Sequence, residues 1–199
     1  MNMKTQCPVC QISSEVMFTT KDWNRKVSKE AFEYRKCTKC GLIFLANPPL
    51  DLSAYYQESY YQQPLFKKIE KVAKKTGYQL AMIKKFVKGG RLLEVGPGYG
   101  VFAYQAKRCG FEVEVIERGE NCCDFLSKSI GVKVIKSDQP HKAIESAKEY
   151  DVIALWQVIE HLPSPWEFFK IAAKKLNSNG VFLIATPNPH AFQFKLQGA

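Results

Sequence analysis

Between residues 91 and 185 short apolar runs alternate with stretches of helical spacing. The runs are Arg91–Val95, Glu112–Ile116, Lys133–Ile135, Asp151–Leu155 and Val181–Ala185. Strands alternating with helices predict an α/β fold with a parallel, doubly wound sheet, right-handed crossovers and ligands at the carboxyl ends of the strands. Val101 to Cys109 read as a helix ended by Gly110, and Ser164-Pro165-Trp166-Glu167 as a capping box with proline at the first helical position. Upstream, Ile69, Val72, Ala73, Leu80, Ile83 and Val87 recur at helical spacing, which predicts an amphipathic helix interrupted near Gly77. Val16–Thr20 and Ala31–Arg35 read as short strands, and the segment from Leu42 through Asn47-Pro48-Pro49-Leu50 as a turn leaving them.

The run Arg91-Leu-Leu-Glu-Val-Gly96-Pro-Gly98-Tyr-Gly100 adds chemistry to this pattern. A buried strand ends in glycines that let the backbone approach a ligand, and the helix after it offers free N–H groups. Glu94 stands two residues before the first glycine, where it would repel a pyrophosphate and attract a cation. The spacing is G-x-G-x-G, whereas the dinucleotide fingerprint is G-x-G-x-x-G. About twenty residues on, the second strand ends at Glu117, an acceptor-only carboxylate suited to both hydroxyls of an unphosphorylated ribose. The residues point to a nucleoside with a positive charge.

Cys7-Pro-Val-Cys10 and Cys37-Thr-Lys-Cys40 form two C-x-x-C pairs. Each pair supplies two corners of a tetrahedron while the chain between folds back as a hairpin. This pattern predicts one structural Zn²⁺ held by Cys7, Cys10, Cys37 and Cys40 in a ribbon too small to build a sufficient core alone. Cys109, Cys122 and Cys123 are read as packing residues.

From Leu92 to about Pro189 the sequence resembles the class I S-adenosylmethionine-dependent methyltransferases. Four blocks carry the resemblance in order: Leu92 to Gly100, Val115-Ile-Glu117, Lys136-Ser-Asp138, and Tyr150 to Pro163. It implies a Rossmann-like, mostly parallel sheet and S-adenosylmethionine as cofactor. The cofactor-binding residues it implies are Glu94, Gly96, Pro97, Gly98, Tyr99, Gly100, Glu117, Arg118, Asp138, Trp156 and Gln157. Asp138 would accept from the adenine amino group, or else cap a helix; many relatives carry an acid where Gln157 stands. His161 is the candidate general base for a hydroxyl acceptor, with a structural role as the alternative. The cysteine-rich leader followed by Tyr55, Tyr56, Tyr60 and Tyr61 resembles that of sugar C-methyltransferases, in which paired tyrosines precede a helix over the cofactor. Asn47-Pro-Pro-Leu50 resembles the amino-group methyltransferase motif, but lacks its aromatic fourth residue and precedes the glycine loop, so it is read as a turn.

The family's sheet has seven strands, and Val181–Ala185 is the fifth. The fold is therefore expected to be C-terminally incomplete at Ala199, with cofactor binding retained, little turnover, and an exposed fifth strand available for self-association.

The chain has 199 residues, 46% hydrophobic, and a formal net charge of +10. The expected organisation is a zinc ribbon over 1–50, an aromatic and lysine-rich connection over 51–88, and a methyltransferase core over 89–199. Much of the charge lies in Lys67, Lys68, Lys71, Lys74, Lys75, Lys84, Lys85 and Lys88, which face only Glu70. They read as a solvated face or as a footprint for RNA or a phosphorylated small substrate, with RNA disfavoured by the scarcity of arginine and stacking aromatics. No apolar run is long enough to span a bilayer, so no membrane partner is expected, and the cysteine usage fits a reducing, cytoplasmic setting. The expected activity is methylation of a small molecule, such as a sugar nucleotide or natural-product intermediate. The alternatives are methylation of ribosomal or transfer RNA and a non-enzymatic cofactor-binding scaffold.

Overall fold

The computed structural model describes residues 5–23, 26–49, 53–55 and 66–191. The chain divides into two compact units, one built on the residues before Tyr60 and one spanning Tyr61–Pro187.

In the first unit β1 (Ser14–Lys21), β2 (Ala31–Cys37) and β3 (Ile43–Leu45) form an antiparallel sheet in that order. β3 occupies the segment that reads as a turn in the sequence, because three apolar residues suffice to pair with Tyr34, Arg35 and Lys36 of β2. Asn47 explains where the strand ends. Its Oδ1 accepts the Glu33 N–H at 2.8 Å and its Nδ2 donates to the Ala31 carbonyl at 2.7 Å, closing the sheet without further ladder bonds. Asn47 thus has a structural use, in keeping with its reading as a turn residue. Phe18 stacks on Tyr34 with centroids 4.8 Å apart, and Arg35 ties β2 to Ser14 and Glu33. The buried apolar set is small: Phe32 and Ala46 beside the thiols of Cys7 and Cys37.

The second unit is a five-stranded sheet in the order β6-β5-β4-β7-β8, every pairing parallel. Its strands are β4 (Gly90–Val95), β5 (Phe111–Glu117), β6 (Lys133–Lys136), β7 (Tyr150–Trp156) and β8 (Leu176–Ala185). β8 begins five residues earlier than its apolar run, because Leu176 already pairs with Tyr150 ahead of a register shift. β8 is an edge strand and carries no charged residue.

Helices cover both faces. On one lie α1 (Phe66–Lys75), α2 (Tyr78–Ile83), α3 (Val101–Arg108) and α4 (Glu120–Phe125), whose Ile69, Ile83, Phe102 and Phe125 pack with Leu92, Val115 and Val152. On the other, α5 (Pro140–Glu145) and α6 (Pro165–Lys174) pack Ile144, Phe168 and Ala172 against Leu93, Ile116 and Ile153. Alternate residues of each strand face opposite layers, the period of two expected for a sheet buried on both sides. The helical break near Gly77 is present.

Glu70 is drawn from among the lysines by Tyr104 of α3, whose hydroxyl donates to it at 3.0 Å. Gln105 donates to the Ala73 carbonyl at 2.6 Å and to that of Thr76, so α3 satisfies the carbonyl end of α1. The capping box at α6 is not formed. Ser164 is the N-cap, but its side chain makes no cap bond, and the Glu167 N–H donates instead to the Ser164 carbonyl at 3.2 Å.

Candidate functional site

Strand order reverses at β4, with β5 on one side and β7 on the other, and the loop after β4 stands at this switch point. Gly96, Gly98 and Gly100 have φ of 64°, 56° and 74°, left-handed values that L side chains rarely adopt. Space is restricted as well. A Cβ on Gly96 would meet Val158 Cγ2 at 2.7 Å, and one on Gly100 would meet Leu126 Cδ2 at 2.4 Å. The first contact brings the segment after β7 against the loop. The Gly100 N–H donates to the Pro97 carbonyl at 2.9 Å, tightening the loop before α3 begins.

Glu117 closes β5 beside this loop. Its Oε1 accepts the N–H groups of Arg118 at 2.8 Å and Gly119 at 2.9 Å, and its Oε2 accepts that of Gly98 at 3.1 Å. A carboxylate offers about four lone-pair sites, so Oε2 keeps acceptor capacity for a ligand hydroxyl. Glu94 is buried, accepts the Ala103 N–H, and leaves its Oε2 without a partner. Burial, with the nearby Glu117 charge adding to it, pushes its carboxyl up to about 8. Burial therefore disfavours the charged form that the sequence reading assigns to this carboxylate.

Tyr99 packs edge-on against Phe125 at 5.3 Å within the core, and Arg118 is exposed. Asp138 lies past β6 and is exposed; the N-cap of α5 is Gln139, so Asp138 does not cap that helix. At the end of β7, Trp156 packs edge-on against Phe102 at 5.3 Å with its Nε1 buried and unpartnered. Gln157 turns the chain at φ 56°, held by its N–H bond to the Ala185 carbonyl at 2.8 Å. A non-glycine residue in this conformation is a strained position of the kind found at binding sites. Nothing in the residue type signals it in advance. His161 ends the short turn Ile159–His161 and is exposed. Tyr56, Tyr60 and Tyr61 lie outside the described residues, while Tyr55 ends a short 3₁₀ turn from Ser53.

The sulfurs of Cys7, Cys10, Cys37 and Cys40 all lie within 4.8 Å of one another, with Cys7 and Cys40 at 3.8 Å. Zn–S bonds of about 2.3 Å separate tetrahedral sulfurs by about 3.8 Å, so the donor set fits a tetrathiolate metal. The N–H groups of Val9 and Cys10 point at Cys7 Sγ, and those of Lys39 and Cys40 at Cys37 Sγ, each at 3.4 Å. Such donors favour thiolates.

A family model described as a methyltransferase domain matches residues 58–197. The chain belongs to this methyltransferase family. The ubiquinone biosynthesis O-methyltransferase of Caulobacter sp. (strain K31) is 30% identical over 107 residues, covering 50% of this chain and 42% of that protein. Its counterpart from Bordetella avium (strain 197N) is 28% identical over 120 residues, covering 57% and 50%. The chain thus spans half or less of the length of these curated relatives. A SAM-dependent methyltransferase from Archaeoglobus fulgidus superposes with a TM-score of 0.54 at 23% identity, covering 62% of this chain and 57% of that one. The PH0226 protein of Pyrococcus horikoshii OT3 gives 0.55 at 22%, covering 71% and 66%. These likenesses establish the class I methyltransferase fold for the second unit.

Sequence reasoning about this methyltransferase domain missed Glu114. It is buried in β5 and bonded to Tyr150 Oη at 2.9 Å, Lys133 Nζ at 2.7 Å and Arg91 Nη2 at 3.3 Å. The alternation of charge in Phe-Glu-Val-Glu-Val was the available signal. Glu114 is the middle residue of β5, three residues before Glu117, and it ties β5 to three other strands through Arg91, Lys133 and Tyr150.

Proposed function

We propose that this domain binds S-adenosylmethionine at the carboxyl ends of β4 to β7 and transfers its methyl group to a small-molecule acceptor. The observation that carries the reading is the 3.1 Å bond from the Gly98 N–H to Glu117 Oε2, which joins the glycine loop and the acid of the second strand in one site. In this reading Glu117 takes the ribose hydroxyls and the glycine loop with Pro97 and Tyr99 bounds the cofactor. Arg118 flanks the ribose, Asp138 accepts from the adenine amino group, and Glu94 answers the positive charge. The cofactor supplies a methyl group on a sulfonium, a good leaving group. The chain's part is alignment, which alone supplies much of the acceleration in such transfers. Trp156 and Gln157 border the acceptor side, and His161 is the group available to take a proton from an acceptor hydroxyl. The named relatives are O-methyltransferases of ubiquinone biosynthesis, which supports a small acceptor bearing a hydroxyl. The four-cysteine site is proposed to hold one structural Zn²⁺.

Calorimetric titration with S-adenosylmethionine tests the cofactor reading. Glu117→Ala removes hydrogen bonds to a charged acceptor and is expected to weaken binding by at least about tenfold. Unchanged affinity in a folded Glu117→Ala variant would overturn the site.

A further inference from the structure

The outer surface of α2 is apolar although its inner surface already fills the core. Leu80, Ile83 and Val87 face inward, with Leu80 and Ile83 buried and Val87 packed against the cluster. Tyr78, Met82 and Phe86 recur at four-residue intervals and are 64%, 41% and 66% exposed. The helical course continues past the end of α2, since Phe86 and Val87 both bond back to the Ile83 carbonyl at 2.9 Å. At about 100° per residue the stripe is centred about 130° from the mean direction of Leu80, Ile83 and Val87, on a side facing away from the core. Among the described residues, none of these three side chains belongs to the core cluster or packs against it.

Lysines crowd the same segment, with Lys85 and Lys88 flanking Phe86 in sequence. Lys67, Lys68, Lys71, Lys74 and Lys75 of α1 are exposed, as are Lys85 and Lys88 beyond α2. The acid among them, Glu70, is turned toward α3 by Tyr104 and does not offset them at the surface. An apolar stripe bordered by ammonium groups matches a surface that is anionic at its face and apolar beneath it. We propose that the α1–α2 face docks on an anionic lipid bilayer, the lysines against the headgroups and Tyr78, Met82 and Phe86 entering the interface. Nucleic acid shares the charge but gives Met82 no partner, and the segment contains no arginine for phosphate forks. This revises the expectation of no membrane partner, which rested on the absence of a spanning run; the exposure of the stripe is not visible in the sequence.

The test is co-sedimentation of the full chain with vesicles of phosphatidylcholine alone and of phosphatidylcholine with about one third phosphatidylserine. The anionic vesicles are expected to bind at least about tenfold more tightly, with affinity falling as salt is raised. Two variants divide the contributions: Tyr78→Ser with Met82→Gln and Phe86→Ser, and Lys71→Gln with Lys74→Gln and Lys85→Gln. Each should lose most of the binding, while circular dichroism confirms an unchanged fold, because all six side chains are exposed. Equal binding to neutral vesicles, no binding to either, or retention by either variant overturns the proposal. Tighter binding of a single-stranded RNA than of vesicles, lost in the lysine variant, also overturns it and assigns the face to RNA. Titration with S-adenosylmethionine without vesicles reads the cofactor site separately.

Discussion

At Glu94 the fold holds a carboxyl group in surroundings that disfavour its charge. Its ordinary value of 4.5 is raised to about 8 by burial and by the charge of Glu117. The sign follows from linkage. Below about pH 4.5 both folded and unfolded chains carry the proton and nothing is lost. Between about 4.5 and 8 the unfolded chain ionises while the folded one does not, so stability contributed by this group falls as pH rises through that window. Glu94→Gln keeps the shape of the neutral form. It is expected to raise the thermal midpoint at pH 8 by several degrees and to change it little at pH 4.5. The same variant should bind S-adenosylmethionine more weakly, since no negative charge can then develop beside the sulfonium ligand. Scanning calorimetry at the two pH values, with titration at pH 8, checks both outcomes; a variant less stable than the parent at pH 8 would show that the carboxylate is ionised in the fold.

The two cysteine knuckles repeat one backbone design. Cys7 and Cys37 each donate their N–H to a carbonyl five residues on, Ile12 and Leu42, and each accept at their carbonyl the N–H four residues on, from Gln11 and Gly41. Gln11 and Gly41 both lie in the left-handed region, at φ 58° and 72°. Glycine suits that conformation and glutamine does not, so Gln11→Gly is expected to stabilise the first unit by up to about 1 kcal/mol. Chemical denaturation with metal present measures the change, and a loss of stability would show that the Gln11 side-chain bond to the Pro8 carbonyl outweighs the backbone strain. Legibility in the sequence follows the same logic. Gly41 announces its turn, whereas Gln11 takes the same conformation inside its local knuckle and Gln157 does so through its bond to Ala185, and neither residue type signals it. The five sheet strands were legible because strands covered on both faces are apolar at successive positions, as in Leu92-Leu93 and Val152-Ile153. β3 was not, being three residues long and specified by β2 more than by its own composition. The glycine loop and Glu117 were legible from spacing alone. The upward shift of the Glu94 carboxyl and the exposure of Phe86 arise from packing that no spacing encodes.

Across the whole molecule, the two units rely on different sources of stability. The second has buried clusters on both faces of its sheet, whereas the described core of the first is little more than Phe32, Ala46 and two thiols. With the proposed zinc on its four thiols, a sheet of that size would be held chiefly by the metal. Metal analysis is expected to give about one zinc per chain. Chelation should abolish amide protection in β1–β3 while leaving it in β4, β5 and β7, as hydrogen exchange would record. Protection retained throughout after complete metal removal would count against a structural metal. The order of the larger sheet also governs how the chain is made. Leu92 of the central strand β4 pairs with Val113, 21 residues later (113 − 92), and with Val152, 60 residues later (152 − 92). At roughly 5–20 residues per second, a ribosome needs roughly 3–12 s to supply that second neighbour. Only late in that interval, once β6 has been made, can β4, β5 and β6 assemble, and one side of β4 is then still open. The growing chain therefore passes through a stage in which the central strand of the finished sheet is an open edge, until β7 arrives.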